Sequence, residues 1–390
     1  MANEVIFKYK VEMSFVNGKV EPLPSAAIRM VMIDYDYVNT DGIHAPIAAA
    51  TVNIGTIMYN KMQTATDGKI LLKISKFKQS DSNPVPITYI EKQLNYIITD
   101  EEVESEVETD VQDDGGSYRC ATIVMYNKDD VDKNRKFVEG NYVGINTMTV
   151  IAINAGMPII VEPFEKNVTA TRYIPPMQSV YGLLRYLNYH WTFYKTGFRF
   201  FQNWDNKAYL LSFKGNAIDI GDGTFLTNKI KVAKQTNLQG NLQGMDINPA
   251  QVYITEVNSN DTTVATNQYT SSEYGKLYCI MRNGKIVNRP LNIHNKKDAN
   301  KVKRLKLETT NTDIVENIAF QYEYTGTTFT FTKSDIDTSV IVPYKAFMVE
   351  MIDSLSSESG KYILVNKKET YVQDGDAFMC SIVATLRKAP

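Results

Sequence analysis

The stretch SVYGLLRYLNYHWTFYKTGFRFFQNWDNKAYLLSF, residues 179–213, decides which class of fold the sequence can form. Its first part spaces four apolar residues at i, i+3, i+4 and i+7: Val180, Leu183, Leu184 and Leu187. This spacing predicts an amphipathic helix. The rest is rich in aromatic residues and predicts three strands separated by turns at 195–197 and 203–206. Without a nucleophile, metal cluster or phosphate loop, the stretch indicates a scaffold.

The composition is that of a folded protein with much β-structure. Hydrophobic residues make up 43% and charged residues 22% of the 390 residues, which is ordinary for a chain of roughly two to four domains. The 24 Tyr and 16 Phe favour strands, whereas only 3 His leave little room for histidine chemistry. The net charge of −2 gives no bulk attraction to nucleic acid or to a membrane.

The cysteines and the apolar segments suggest no disulfide framework and no membrane insertion. Cys120, Cys279 and Cys380 are far apart and lack zinc-ligand spacing, so each is expected to be a small buried residue. The amino-terminal sequence lacks the basic-then-apolar layout of a signal peptide. Polar residues and a proline interrupt the apolar stretch 143–161, which favours buried strands over a membrane span.

Strand patterns occupy both ends of the chain, with a helical element between them. Period-two or β-branched runs predict strands at 5–15, 28–37, 46–58, 69–77 and 117–126 and, near the carboxy terminus, at 327–332, 340–352, 361–365 and 378–387. The final run alternates strictly over ten residues, which is typical of a half-buried strand. Residues 128–140 have a weak helical pattern, so we expect a mixed α/β region in the middle of the chain.

Two runs of like charge stand out. Residues 100–114 contain nine acids and no base, which suits either a calcium or partner site or a solvated linker. The linker is favoured because the glycine and glutamate positions of an EF-hand are missing. Residues 285–306 carry eight basic residues. This run could be either a patch that contacts phosphate groups or a basic surface loop that docks a protein. The second interpretation is favoured because aromatic residues that could stack on bases are absent from this run.

We find no catalytic motif of a common enzyme class. The three histidines fall in unrelated segments, and a structural role is expected for each: His44, His190 and His294. Four acids near predicted strand ends could form a carboxylate pair: Asp34, Asp36, Asp219 and Asp222. Among 44 acids such pairs arise by chance. We therefore expect no enzyme, no catalytic, cofactor-binding or metal-binding residues, and no cofactor.

Three segments resemble a known family. The stretch 179–212 and the ending GKYILVNKKETYVQDGDAFMCSIVATLRK, residues 360–388, are similar to parts of the central hub proteins of contractile-tailed phage baseplates. That family is related in fold to phage tail-tube proteins. The segment IDYDYVNTDGIHAPIAAATVNI, residues 33–54, is a looser match to the start of the hub's first barrel.

The resemblance implies a mainly β fold with α+β insertions. It comprises two tube-like β-barrels and a mixed α/β middle domain. The implied units are a first barrel at 1–127, the middle domain at 128–206, a second barrel at 207–240 and 307–390, and an insertion within that barrel at 241–306.

The resemblance also implies a structural function. Three copies would form a ring of six barrels that joins the tail tube to the central spike. Its partners would be the tail tube protein, the spike protein and other baseplate proteins, and DNA would pass through the lumen without sequence-specific binding. The implied location is the tail baseplate of the virion, after assembly in the host cytoplasm. The family has no catalytic residues to transfer.

Two alternatives remain open. The first is a tail-associated cell-wall hydrolase or glycan-binding tail protein, which would need one of the carboxylate pairs or a sugar-binding surface. The second is a tube-capping or tail-completion protein of the same barrel type, which would differ from a hub only in its neighbours.

Overall fold

Alternating sequences form antiparallel strands in the amino-terminal third. In a computed structural model of the chain, its strands are β1 (Phe7–Asn17), β2 (Lys19–Pro22), β3 (Ile28–Asp36), β4 (Ile47–Gly55), β5 (Lys69–Lys78), β6 (Ile87–Asp100) and β7 (Tyr118–Tyr126). The strand predicted at 46–58 ends early, because helix α1 (Thr56–Thr64) begins after Gly55. Tyr59 and Met62, spaced i and i+3, bury one face of this helix.

The structure describes residues 6–38, 45–79, 84–100, 118–138, 142–143, 156, 159–165, 172–173, 178–191, 193–194, 197–214, 228–232, 251–254, 262–265, 277–282, 285–290, 305–307, 328–351 and 359–389. The middle elements are α2 (Lys128–Arg135), β8 (Phe137–Val138), β9 (Tyr142–Val143), β10 (Ile159–Val161), β11 (Arg172–Tyr173), β12 (Gln178–Ser179), α3 (Val180–Trp191), β13 (Phe198–Gln202) and β14 (Ala208–Ser212).

Strands also dominate the carboxy-terminal part, so the fold is mainly β, as predicted. These strands are β15 (Asn228–Val232), β16 (Gln251–Ile254), β17 (Thr262–Ala265), β18 (Leu277–Arg282), β19 (Lys285–Pro290), β20 (Leu305–Leu307), β21 (Thr328–Ser334), β22 (Phe347–Met351), β23 (Gly360–Asp374) and β24 (Ala377–Lys388). Short 3₁₀ turns lie at Ser25–Ala27 and Thr338–Val340.

Eight of these strands form a closed antiparallel barrel. The pairing runs in the order β3, β4, β7, β6, β5, β1 through the amino-terminal strands. Strand β23 pairs with β3, and β24 completes the ring by pairing with β23 and, at Tyr9 and Phe378, with β1. Closure removes open strand edges from a sheet. Both ends of the chain therefore contribute to one barrel.

The carboxy-terminal hairpin differs from the domain division that the sequence suggests. That division places it in a second barrel within 307–390, separate from a first barrel at 1–127. Residues 366–372 of β23 instead pair with β3. The first residues of β23 pair with β22, and β24 pairs with β21. At about 3.3 Å per residue, both strands are long enough to serve two groups of partners. Alternation fixes which face of a strand is buried but not which strand lies beside it.

The remaining strands extend this sheet or form small ones. Strands β22, β15 and β16 continue it beyond β23, with β15 parallel to both neighbours, and β21 and β17 continue it beyond β24. Strands β18, β19 and β20 form a separate three-stranded sheet. The predicted second barrel and its insertion include many residues outside the described ranges, so their boundaries stay predictions.

The barrel interior is filled by the inward residues of each strand. Strand β1 shows the pattern, with Tyr9, Val11, Met13 and Phe15 each 0–1% exposed. On β24 the predicted face is confirmed: Phe378, Cys380, Ile382, Ala384 and Leu386 are all buried in the same core. Full burial of such large apolar side chains contributes roughly 1.5–3 kcal/mol each.

The stretch that opened the sequence analysis folds as a helix followed by one hairpin. The apolar stripe of α3 is buried, as predicted, and the turn at 203–206 joins β13 to β14. The third predicted strand, before 195–197, is wrong. Helix α3 continues to Trp191, and Phe193 and Tyr194 are buried outside any strand. Asn188 fixes this path, because its side-chain oxygen accepts the backbone N–H of Tyr194 at 3.1 Å.

The β13–β14 hairpin is buried on both faces. Phe200 and Leu210 pack with Leu184 of α3, on a three-stranded sheet in which β10 is parallel to β14. Phe201 and Tyr209 point the other way, into the barrel core. Successive strand residues point to opposite faces of the hairpin. Because this hairpin has aromatic residues on both faces, it packs against helix α3 on one side and against the barrel on the other.

Candidate functional site

A buried ion pair lies inside the barrel. The Lys367 ammonium is 2.9 Å from a Glu369 carboxylate oxygen, and the two side chains are 3% and 0% exposed. The ammonium also donates to the Ile341 carbonyl at 3.1 Å and to the Tyr89 hydroxyl at 3.3 Å. Partners of this kind are what make a buried charge tolerable.

Tyrosines surround the carboxylate of this pair. The hydroxyls of Tyr89 and Tyr371 each donate to Glu369 at 2.9 Å, and that of Tyr35 lies 3.4 Å away. Burial first, and then the negative charge of Glu369, raise the pKa of all three tyrosines well above the ordinary value. The hydroxyls therefore keep their protons at neutral pH and act as donors.

A β-bulge places these charges inside. The pairing of β23 with β24 shifts register between Leu364 and Asn366. Continued alternation from buried Leu364 would point Asn366 inward, whereas the extra residue turns Lys367 and Glu369 to the interior. The strand predicted at 361–365 ends before both residues, so neither was among the candidates. The alternation of β-strand residues could have identified them, because Glu369 and Lys367 lie two and four residues before Tyr371 and so share its face of the strand.

A cavity of about 440 Å³ lies between the barrel and the 203–206 turn. Its aromatic wall consists of Tyr35, Tyr37, Tyr89, Trp204 and Tyr344. The Trp204 indole N–H donates to the Pro46 carbonyl at 3.1 Å, which ties the turn to the barrel. Several of these rings already pack on one another or on Tyr209. The cavity is therefore part of the seam between hairpin and barrel.

A second buried charge, that of Arg199, connects the β13–β14 hairpin to the barrel. The Arg199 guanidinium donates to the Leu364 carbonyl at 2.8 Å, which connects β13 to β23. Burial lowers the pKa of Arg199 to about 10, and the nearby Glu162 carboxylate partly offsets this effect. Glu162 itself accepts the Ser212 hydroxyl at 2.8 Å and so ties its own segment to β14. These contacts are structural.

The structure does not bring the four candidate acids together. Asp34 and Asp36 are both exposed on the outer face of β3, and Asp36 accepts the backbone N–H of Val38 at 3.0 Å. Asp219 and Asp222 lie outside the described residues. Among the described residues, no group of three or more His, Cys, Asp or Glu side chains is arranged to hold a metal ion.

The structure describes only some of the other candidate residues. His44 and His294 lie outside the described residues, and of His190 only the backbone in α3 is described. Cys380 is buried, as predicted, while Cys120 is half-buried; the side chain of Cys279 is not described. Of the acidic run, Asp100 ends β6 and the rest lies outside the described ranges. The basic run contributes β19 and part of β20. No helix in the described part is long and apolar enough to cross a bilayer.

The described strands define a mainly β protein, and its fold is similar to that of solved phage tail proteins. The tail protein from Neisseria meningitidis MC58 is similar, with a TM-score of 0.53 and 12% identity over 98% of this chain and 97% of that chain. The 43 kDa tail protein of prophage MuSo2 from Shewanella oneidensis is also similar, with a TM-score of 0.50 and 8% identity over 97% of each chain.

These neighbours confirm the predicted resemblance at the level of the fold, because both are phage tail proteins. At such low identities the likeness concerns the fold. No family model matches the sequence, and no curated protein matches it.

Proposed function

We propose that this chain is a structural subunit of a phage tail and that it forms the hub of the baseplate. The observation that carries the proposal is the extent of the fold match, which covers 98% of this chain and 97% of the Neisseria tail protein. The shared fold takes up nearly all of this sequence and leaves little of it for a separate catalytic domain.

In this proposal three copies form a ring that joins the tail tube to the central spike. Its partners are the tail tube protein, the spike protein and other baseplate proteins, and the ring assembles in the host cytoplasm and stays in the virion. The sheet that extends from the barrel supports association between copies. In the described part, its outermost strands, β16 and β17, each have one neighbour. A free strand edge can pair with another chain.

Light scattering of the purified chain tests the ring. We expect a particle with three times the chain mass of 44.1 kDa, stable on dilution. A monomer that persists at high concentration would contradict the ring. Cross-linking within virions, followed by identification of the linked proteins, separates a hub from a tube-capping or tail-completion protein, because only the hub contacts the spike.

We further propose that the chain acts by association and has no catalytic activity. The exposed Asp34 and Asp36 offer no enclosed substrate site, and Glu369 is shielded from solvent by its own partners. Zymography on peptidoglycan tests the hydrolase alternative. Clearing by the native chain that disappears in Asp34→Asn or Asp36→Asn would overturn this proposal.

A further inference from the structure

The cavity between the barrel and the 203–206 turn is lined by a buried hydroxyl group for which the described residues supply no partner. This group belongs to Tyr37, which is 2% exposed. The Tyr37 backbone N–H donates to the Val365 carbonyl at 2.9 Å, but among the described residues none bonds to its hydroxyl. A buried hydroxyl without a partner is unfavourable. A polar group inside the cavity would therefore gain a hydrogen bond there.

Aromatic rings form a rigid platform in the same cavity. Tyr344 is only half-buried, and its ring stacks on Tyr209 with the centroids 5.7 Å apart. Tyr89 is also half-buried, and the indole of Trp204 is held by its hydrogen bond to the Pro46 carbonyl. Rings that are fixed in this way lose little conformational freedom when a ligand packs on them. The platform therefore favours a ligand with an apolar face.

Polar residues of both charges line the rest of the cavity. Glu91 and Asp205 are exposed acids, whereas Lys92 is a half-buried base. The ammonium of Lys367, which is buried in the wall, is neutralised by Glu369. Such a lining provides both donors and acceptors without a cluster of one charge. It suits a neutral ligand whose hydroxyl groups donate and accept, rather than an anion or a cation.

We propose that this cavity binds a short neutral saccharide. A pyranose ring has C–H groups on its faces, which pack on the negative face of an aromatic ring, and hydroxyl groups at its edge, which can bond to Tyr37 and to the polar residues. The cavity volume of about 440 Å³ lies within the roughly 300–1,000 Å³ of small-molecule sites, which are common at the mouths of β-barrels. This binding goes beyond the structural function proposed above and does not depend on it.

Saturation-transfer difference NMR of the full chain tests the site. The probes are four neutral disaccharides: maltose, cellobiose, lactose and N,N′-diacetylchitobiose. We expect transfer from the protein to the C–H protons of at least one of them. The same sugar should change the tryptophan fluorescence in a saturable way, because Trp204 lies in the cavity wall.

Two variants locate the binding. Tyr37→Phe removes only the buried hydroxyl, so the fold should persist while the dissociation constant of the sugar rises by roughly 2- to 10-fold. Val342→Phe should abolish the transfer, because Val342 lines the cavity and is half-buried, so the added ring occupies the space of the ligand. If Val342→Phe fails to fold, Tyr37→Phe decides the question.

Val383→Phe is the matched control, because Val383 is 37% exposed on β24 and is not among the residues that line the cavity. The same added ring should leave sugar binding unchanged there. Three results would overturn the proposal: transfer to none of the four sugars, a folded cavity variant that binds as tightly as the native chain, or equal losses in Val383→Phe and Val342→Phe. Transfer to adenosine but to no sugar would indicate a site that stacks nucleobases, and the saccharide assignment would be wrong. Each of these results leaves the proposed tail function standing.

Discussion

At the scale of single residues, Lys367 and Glu369 make the barrel interior depend on charge compensation. Both lie on β23 and are almost completely buried, and each has hydrogen-bond partners on other strands or loops. Removal of one partner from a buried pair leaves the other charge without compensation, which costs more than the pair contributes. The pair therefore favours one register of β23 against its neighbours.

Glu369→Gln tests this role. The amide keeps the shape, and its single oxygen can still accept one tyrosine hydroxyl, whereas its NH2 group can only donate. The Lys367 ammonium also loses its counter-charge. We expect the free energy of unfolding to fall by about 3–5 kcal/mol, measured by urea denaturation.

The control is Asp374→Asn, which removes another lysine–carboxylate pair from the same strand. Asp374 bonds to Lys8 at 2.6 Å, but its side chain is 54% exposed. Solvent screens such a pair, so the loss should stay below about 1 kcal/mol. Equal losses for the two variants would mean that burial of the Lys367–Glu369 pair has no special effect.

At the scale of elements, the β13–β14 hairpin joins two cores. Phe200 packs under α3, and Phe201 contacts Tyr37 of the barrel side with ring centroids 4.9 Å apart. Phe200 and Phe201 face opposite ways, so the same hairpin covers both cores. Unfolding of the hairpin would therefore expose both cores to solvent. We infer that the two cores unfold together.

Phe200→Ala and Phe201→Ala should therefore both destabilise the whole chain. Each creates a cavity in a different core, and such changes cost about 3–5 kcal/mol. Chemical denaturation should show one transition that shifts by a similar amount in both variants. Phe137→Ala is the matched control, because Phe137 is 56% exposed, and its effect should stay within about 0.5 kcal/mol. Two separate transitions would contradict the coupling.

At the scale of the whole molecule, buried tyrosines make the fold sensitive to alkali. Burial raises the pKa of Tyr35, Tyr37 and Tyr371, whereas tyrosine in the unfolded chain ionises near pH 10. Above that pH the folded state holds more protons than the unfolded state. The contribution of these tyrosines to the free energy of unfolding is thus complete below about pH 10 and is lost as the pH rises further.

Each tyrosine that stays protonated in the folded state removes on the order of 1 kcal/mol of stability per pH unit above pH 10. Arg199 acts in the opposite direction, because its pKa is lowered to about 10, but one group offsets only one of the three tyrosines. We expect a steep unfolding transition above pH 10 in which tyrosinate absorbance appears as circular dichroism is lost. Tyrosine ionisation without loss of circular dichroism would contradict this expectation.

The sequence by itself determined what is local. The period of two on β1 and β24, the apolar stripe of α3 and the turn at 203–206 were predictable, because each depends on neighbouring residues and on fixed backbone geometry. The absence of a catalytic motif and the resemblance to tail proteins also came from the sequence.

Tertiary structure alone decided how the ends of the chain meet. The Tyr9 hydroxyl donates to the Ile336 carbonyl at 2.7 Å across 327 residues of sequence, and no local pattern specifies such a contact. The bulge after Leu364 reverses which residues of β23 face inward, so the buried ion pair exists only in the closed barrel. A strand's period depends on its own backbone, whereas its partners and register depend on packing against distant residues.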